Sequence, residues 1–259
     1  VTATIITTTI TITTTIMTTS HTAMRNGLDS LQPLPFLRLQ TWLSPIFPTG
    51  SYSYSHGLEW AVEAGSVSDR VSLVDWLAAD LRYGSGRNEA LFLREAWSSA
   101  VLGDQCRLLE IAELAAAFRG TSEFALESAQ QASAYHATLR QVWPDSLLSE
   151  VAENLLDRRI PLSVALVLGI CCAKQNIPLV LALPAYLQSY VANLVTAGVR
   201  LIPLGQTDGQ AAIAALEDTV LATSADTVTT TIHDLGSAAF MVDLASMSHE
   251  TQYTRLFRS

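Results

Sequence analysis

The run from Trp42 to Trp60, Trp-Leu-Ser-Pro-Ile-Phe-Pro-Thr-Gly-Ser-Tyr-Ser-Tyr-Ser-His-Gly-Leu-Glu-Trp, sets the tightest limits on how this chain can fold. Pro45 and Pro48 lack backbone donors and push Ser44 and Phe47 out of the helical region, so a helix through Leu37 to Trp42 has to stop there. Gly50 permits a turn closed to bulkier residues. Small hydroxyls and large rings alternate from Ser51 to Ser55, and Ser53 or Ser55 is placed to cap a short helix through Glu63 that Gly65 ends. The stretch reads as a packed turn between helices that holds a hydrogen-bonded His56.

Two chemical readings of the same stretch compete with that structural one. A hydrolase would set a serine beside His56, but Gly50 to Gly57 does not match the G-x-S-x-G nucleophile elbow, and a triad needs partners from elsewhere in the chain. A phosphate cradle needs G-K-[ST]. The only lysine is Lys174, between Ala173 and Gln175, so a P-loop is excluded.

Helical spacing organises the rest. Ser68-Asp69 opens a helix with Val71, Val74, Leu77 and Leu81 inward, ended by Gly84 and Gly86. Glu89 to Val101 repeats the pattern with Leu91, Phe92, Ala96 and Ser99, and Leu108 to Phe118 follows. Thr121 opens a long helix with Ala125, Ala129, Ala132, His136, Leu139 and Trp143 on one face; His136 reads as a satisfied core histidine rather than a ligand. Ser146 to Arg158 is the next helix. Ile160 to Ala173 is too short for the roughly 20 residues a bilayer span needs, and Gln175 to Val199 is interrupted by two prolines and four amides, so both read as buried bundle helices. Thr207-x-x-Gln210 reads as a capping box opening Ala211 to Val220, Thr223 to Thr231 as a polar loop, and Asp234 to Met247 as the last helix. The fold expected is all-α, a single-domain bundle of roughly nine helices over residues 34–259.

Composition narrows the function classes. The net charge is −9 and 49% of residues are apolar, which disfavours nucleic-acid binding and supplies a sizeable core. Cys106, Cys171 and Cys172 lack C-x-x-C spacing and are expected to be buried, reduced thiols of a cytoplasmic protein, with no metal site. Val1 to Thr22 is a threonine- and isoleucine-rich run, expected to be a disordered leader or one that precedes the true start at Met17 or Met24; with the linker it occupies residues 1–33.

At the other end, Tyr253, Arg255, Leu256, Phe257 and Arg258 carry the side chains that anchor interfaces, on a tail (248–259) with no further chain to cover it. His249 and Glu250, adjacent in sequence, cannot complete a nickel site between them.

Three separated runs resemble one family in the same order: Leu43 to Glu59; Leu201-Ile-Pro-Leu-Gly-Gln-Thr-Asp-Gly-Gln210; and His249-Glu-Thr-Gln-Tyr-Thr-Arg-Leu-Phe-Arg-Ser259. They are similar to the signatures of the urease accessory protein UreF. The resemblance spans about Leu37 to Ser259, leaving the threonine-rich leader without a counterpart. It implies a cytosolic, non-enzymatic scaffold, dimeric in its complex, that binds UreD (UreH in some organisms) and the GTPase UreG and assists nickel insertion into apo-urease. It also implies a passage for nickel through the complex, with no cofactor resident in this chain. On the family's pattern, Tyr253, Arg255, Leu256, Phe257 and Arg258 dock into UreD. Pro48, Gly50, Ser55, His56, Gly57 and Glu59 support the dimer and the surface offered to UreG. The readings from other classes are a soluble hydrolase built on His56 and a membrane-associated helper using Leu162 to Leu187.

Overall fold

A computed structural model describes residues 33–258. The leader and linker reading therefore falls, but for Pro33, outside the described residues. Those residues form eleven α-helices and two short 3-10 turns, with no strand.

Helix α1 (Pro33–Trp42) ends before Pro45, and the turn that follows contains a 3-10 segment, Ser51–Ser53. Helix α2 (Leu58–Glu63) is short because Gly65 ends it with a positive φ of 75°. Next come α3 (Arg70–Tyr83), α4 (Ser85–Leu102), α5 (Gln105–Ala117), α6 (Ser122–Val142), α7 (Ser146–Asp157), α8 (Val164–Lys174), α9 (Leu179–Leu201), α10 (Gln206–Thr229), the 3-10 turn Ile232–Asp234, and α11 (Phe240–His249). The count exceeds roughly nine because the short pieces flanking the proline-rich turn stand as separate helices.

Helix α8 is the centre. Val164 to Ala173 are all buried, so it has no polar face and must be enclosed. Its tightest neighbour is α4: a Cβ on Gly169 would lie 2.7 Å from Ala96 Cβ and 2.7 Å from the Leu93 carbonyl oxygen. Leu91, Phe92, Ala96 and Ser99 of α4 are buried, as their spacing predicts. Around this pair, α9, α10 and α3 pack on one side, and α5, α6 and α7 on the other. Helix α9 alone among those described is long and apolar enough to cross a membrane. It nevertheless contributes Leu183, Leu187, Val191 and Leu194 to the same core.

Four sequence expectations need correction. The expected loop at 223–231 is helical to Thr229, because Thr223, Ser224 and Thr227 are buried and their hydroxyls find carbonyl acceptors. Ser224 donates to the Val220 carbonyl at 2.7 Å and Thr227 to that of Thr223 at 2.7 Å, which removes the penalty of burying them. That helix begins at Gln206, where the Asp208 carboxylate accepts from the Gly205 N–H, rather than at a Thr207-x-x-Gln210 box. Helix α4 begins at Ser85, since the break at Gly84 is a single residue and the Asp80 carboxylate accepts the Ser85 N–H. The last helix starts at Phe240, six residues later than expected.

Two buried faces also shift. Helix α6 buries Glu123, Phe124, Glu127, Ala132, Tyr135 and Leu139, about one residue around from the alanine stripe, and His136 is half-buried with Nε2 unpartnered. On α3, Leu73 is buried while Val71 is exposed. Cys171 and Cys172 are buried as expected, but Cys106 is exposed.

Candidate functional site

The turn and the C-terminal tail, nearly two hundred residues apart in sequence, are one site. Leu58 to Glu63 turns inward because Gly57, at φ 77°, starts the helix in the left-handed region; the Ser55 hydroxyl accepts the Glu59 N–H at 3.4 Å. Ser53 does not cap it. This places the Glu59 carboxylate, only 7% exposed, under the tail. There it accepts the Leu256 N–H at 2.6 Å and the Phe257 N–H at 2.9 Å. The Arg258 N–H donates to the Ser53 carbonyl at 2.8 Å.

A buried histidine completes the attachment. The ring of His249 is fully buried, with Nε2 3.0 Å from Glu59 Oε2 and Nδ1 2.8 Å from Glu123 Oε2. Glu123 also accepts from the Arg255 guanidinium at 3.0 Å. Burial pushes the Glu123 carboxyl above its usual range, with His249 and Arg255 opposing. Both ring nitrogens can donate at once only while the cluster holds a proton. His249 is thus structural, and Glu250, the other half of the sequence pair, turns away to accept from the Ser122 N–H and hydroxyl. Among the described residues no group of three or more metal-ligating side chains could hold a metal ion.

The predicted tail residues divide sharply. Phe257 is 4% exposed and lies beneath the Arg200 guanidinium, 4.4 Å from its ring centre. Arg200 is fixed in turn by donating to the Tyr52 carbonyl at 2.7 Å. Arg258 extends beside the Tyr54 hydroxyl, whose pKa burial raises and Arg258 lowers, leaving a net rise. Tyr253 is fully exposed and Leu256 is 58% exposed. The expectation that nothing covers the tail is therefore corrected: Phe257 belongs to the chain's own core, and Tyr253 and Leu256 are the apolar side chains left on the surface. Of the predicted turn residues, Ser55, His56, Gly57 and Glu59 point inward, whereas Pro48 is exposed and Gly50 half-buried at the rim.

His56 faces away from the tail into α6. Its Nδ1 lies 3.2 Å from Glu127 Oε2, and its ring stacks on Phe124 with centres 3.8 Å apart. Nε2 has no hydrogen-bond partner, so no serine hydroxyl stands ready to act as its nucleophile and the triad of the hydrolase reading is not assembled. Burial opposes the imidazolium and Glu127 favours it, leaving the His56 pKa raised. A raised folded-state pKa contributes stability that is full below the unfolded value of about 6.5 and disappears as pH rises through the folded value. His56→Asn, which tolerates the φ of 56°, should therefore flatten the fall in thermal midpoint above about pH 6.5. An unchanged pH profile would show that His56 is not the titrating group.

Glu123, Glu127 and Arg200 escape sequence reading because a carboxylate or guanidinium on a helix normally marks the solvated face. The one available signal is the four-residue spacing of Glu123 and Glu127, which puts both carboxylates on one face of α6.

Comparison with known proteins places this arrangement. The family model described as UreF matches residues 67–217. A urease accessory protein UreF from Rhodopseudomonas palustris (strain HaA2) is 45% identical over 232 residues, covering 90% of this chain and 97% of the relative. Proteins of the same name from Bradyrhizobium sp. (strain BTAi1) and Granulibacter bethesdensis are each 47% identical over 222 residues, covering 86% of this chain and 91% and 93% of the relatives. With a family model over more than half of the chain and relatives 45–47% identical over most of it, the chain belongs to the UreF family of urease accessory proteins.

Proposed function

We propose that this protein is a non-enzymatic scaffold for urease maturation. It works in the cytoplasm with UreD (UreH) and the GTPase UreG to assist nickel insertion into apo-urease, with nickel in transit rather than as a resident cofactor. The observation that carries this reading is the tail clamped onto the turn by Glu59, which turns two separate family signatures into a single continuous surface.

The physical role of such a surface is linkage. A scaffold that binds one nucleotide-dependent state of UreG better than another shifts the population of that state and so times metal release. In this reading the tail docks into UreD and the turn supports the dimer or the surface offered to UreG, with Tyr253 and Leu256 as the apolar anchors and Arg255 and Arg258 at the rim.

The Tyr253→Ala/Leu256→Ala variant tests this without disturbing the fold, because both side chains are exposed. It should keep the parent's thermal midpoint while losing about 30-fold or more in affinity for the cognate UreD, measured by calorimetry, since anchors of this kind contribute roughly 2 kcal/mol or more. Undiminished binding would move the docking surface off the tail.

A further inference from the structure

We propose that the C-terminal tail is held on the turn by a proton-coupled latch: docking the tail takes up a proton, and the tail lets go as the solution becomes alkaline. The latch is the group formed by His249 at the end of α11, Glu59 on α2, Glu123 on α6 and Arg255 in the tail.

Geometry fixes its proton count. The His249 ring is fully buried, with Nε2 3.0 Å from Glu59 Oε2 and Nδ1 3.0 and 2.8 Å from the two Glu123 oxygens. A neutral imidazole carries a single N–H. Between two ionised carboxylates it would turn a bare nitrogen lone pair on the lone pairs of an anion, away from water. The arrangement is satisfied only when a further proton is present, on the ring or on a carboxyl, and that proton belongs to the cluster rather than to either residue. Counted with it, the ring, the two carboxylates and the Arg255 guanidinium, 3.0 Å from Glu123, are neutral together. Without it they leave a net negative charge beneath the tail, where Glu59 and Glu123 are themselves buried. Burial pushes the Glu123 carboxyl up, against His249 and Arg255, in the direction that keeps the proton.

Release undoes each of these contacts. Glu59 loses the Leu256 and Phe257 N–H groups, Glu123 loses Arg255, and water reaches the ring. A solvated imidazole holds its second proton only below about pH 6.5, and a solvated carboxyl only below about 4.3. Above about pH 6.5 the docked cluster therefore binds more protons than the released one, so docking weakens as pH rises until the docked cluster gives its proton up. Other charged groups on the elements meeting here are engaged elsewhere: Glu63 accepts from Gln252, Glu127 faces His56, Glu250 accepts from Ser122, Asp243 accepts from Ser237, and Arg200 lies over Phe257. The latch is intramolecular and stands whether or not the tail docks a partner; with the reading above, it controls how Tyr253 and Leu256 are presented.

A nitroxide on Tyr253→Cys, in the full chain with Cys106→Ser so that no other exposed thiol reacts, reports tail mobility by electron paramagnetic resonance. In urea just sufficient to free a detectable fraction of tails at pH 7, with the helices intact by circular dichroism, the ratio of free to docked tail should rise about fivefold or more by pH 8, toward the tenfold per pH unit of one whole proton. Glu123→Gln supplies a permanent amide N–H to Nδ1 of a neutral ring, so its ratio should be nearly independent of pH. His56→Asn should keep the parent's slope, which separates the latch from the titration of His56. A parent ratio that ignores pH, a slope that survives in Glu123→Gln, a slope that disappears in His56→Asn, or a tail freed only together with the helices would each overturn the proposal. All but the second are read without a change in the cluster, so they decide even if Glu123→Gln cannot hold its tail.

Discussion

Glu59→Ala should lower stability by about 3–5 kcal/mol, the largest effect of any single side-chain truncation at the turn. The substitution strips acceptors from two consecutive backbone N–H groups, those of Leu256 and Phe257, and from His249 Nε2. Two of the three cannot readily turn to water, because Phe257 and His249 are buried. It also leaves His249 with Glu123 as its sole carboxylate neighbour. For a chain of this size the thermal midpoint should fall by roughly 10 °C. The tail should loosen before the rest, so trypsin should cut after Arg255 far faster than in the parent. Glu59→Gln keeps the shape but puts an amide NH₂ where an acceptor is needed, and should fall between the two. A variant that melts like the parent and keeps its tail protected would mean that the carboxylate does not hold the tail.

Gly57→Ala should be the most damaging one-carbon change in the turn, at about 3 kcal/mol. Part of this comes from its φ of 77°, which disfavours any side chain. The remainder comes from space: the new Cβ would lie 2.8 Å from the Ser246 nitrogen and 3.1 Å from its Cα, so the α11 backbone has to retreat. Retreat would pull the Ser246 hydroxyl from that of Thr121, now 2.7 Å away. Gly50→Ala is the matched control. Gly50 has a similar φ of 71° but nothing within 4 Å of its Cβ position, so it should lose only about 1 kcal/mol. Urea midpoints compare the two directly, and equal losses would show that the turn does not press on α11.

What the sequence made legible follows the strength of each local signal. Proline and glycine punctuation placed the turn, three- and four-residue spacing placed the inner face of α4, and an unbroken apolar run placed α8 in the core, because there the apolar pattern and the packing agree. Reading failed where tertiary contact overrides local preference. Ser224 and Thr227 of α10 look like loop residues until their hydroxyls are seen bonded to the helix's own carbonyls. The site divides in the same way. Glu59 stood out through its neighbours, but its partners could not be found from spacing, since Leu256 and Phe257 offer it only backbone N–H groups, which every residue but proline possesses. Phe257 was read as a free anchor because nothing in the tail reveals that Arg200 covers it.

The cysteines give the molecule a built-in address for a probe. Burial raises the Cys171 thiol well above its normal range and pushes Cys172 up to about 12, so neither offers thiolate to an alkylating reagent at neutral pH. Cys106, exposed on α5, is the third and last cysteine in the chain. A maleimide dye should therefore attach at one position without any engineered cysteine, and its fluorescence can follow assembly with partners in real time while the turn and tail stay chemically untouched.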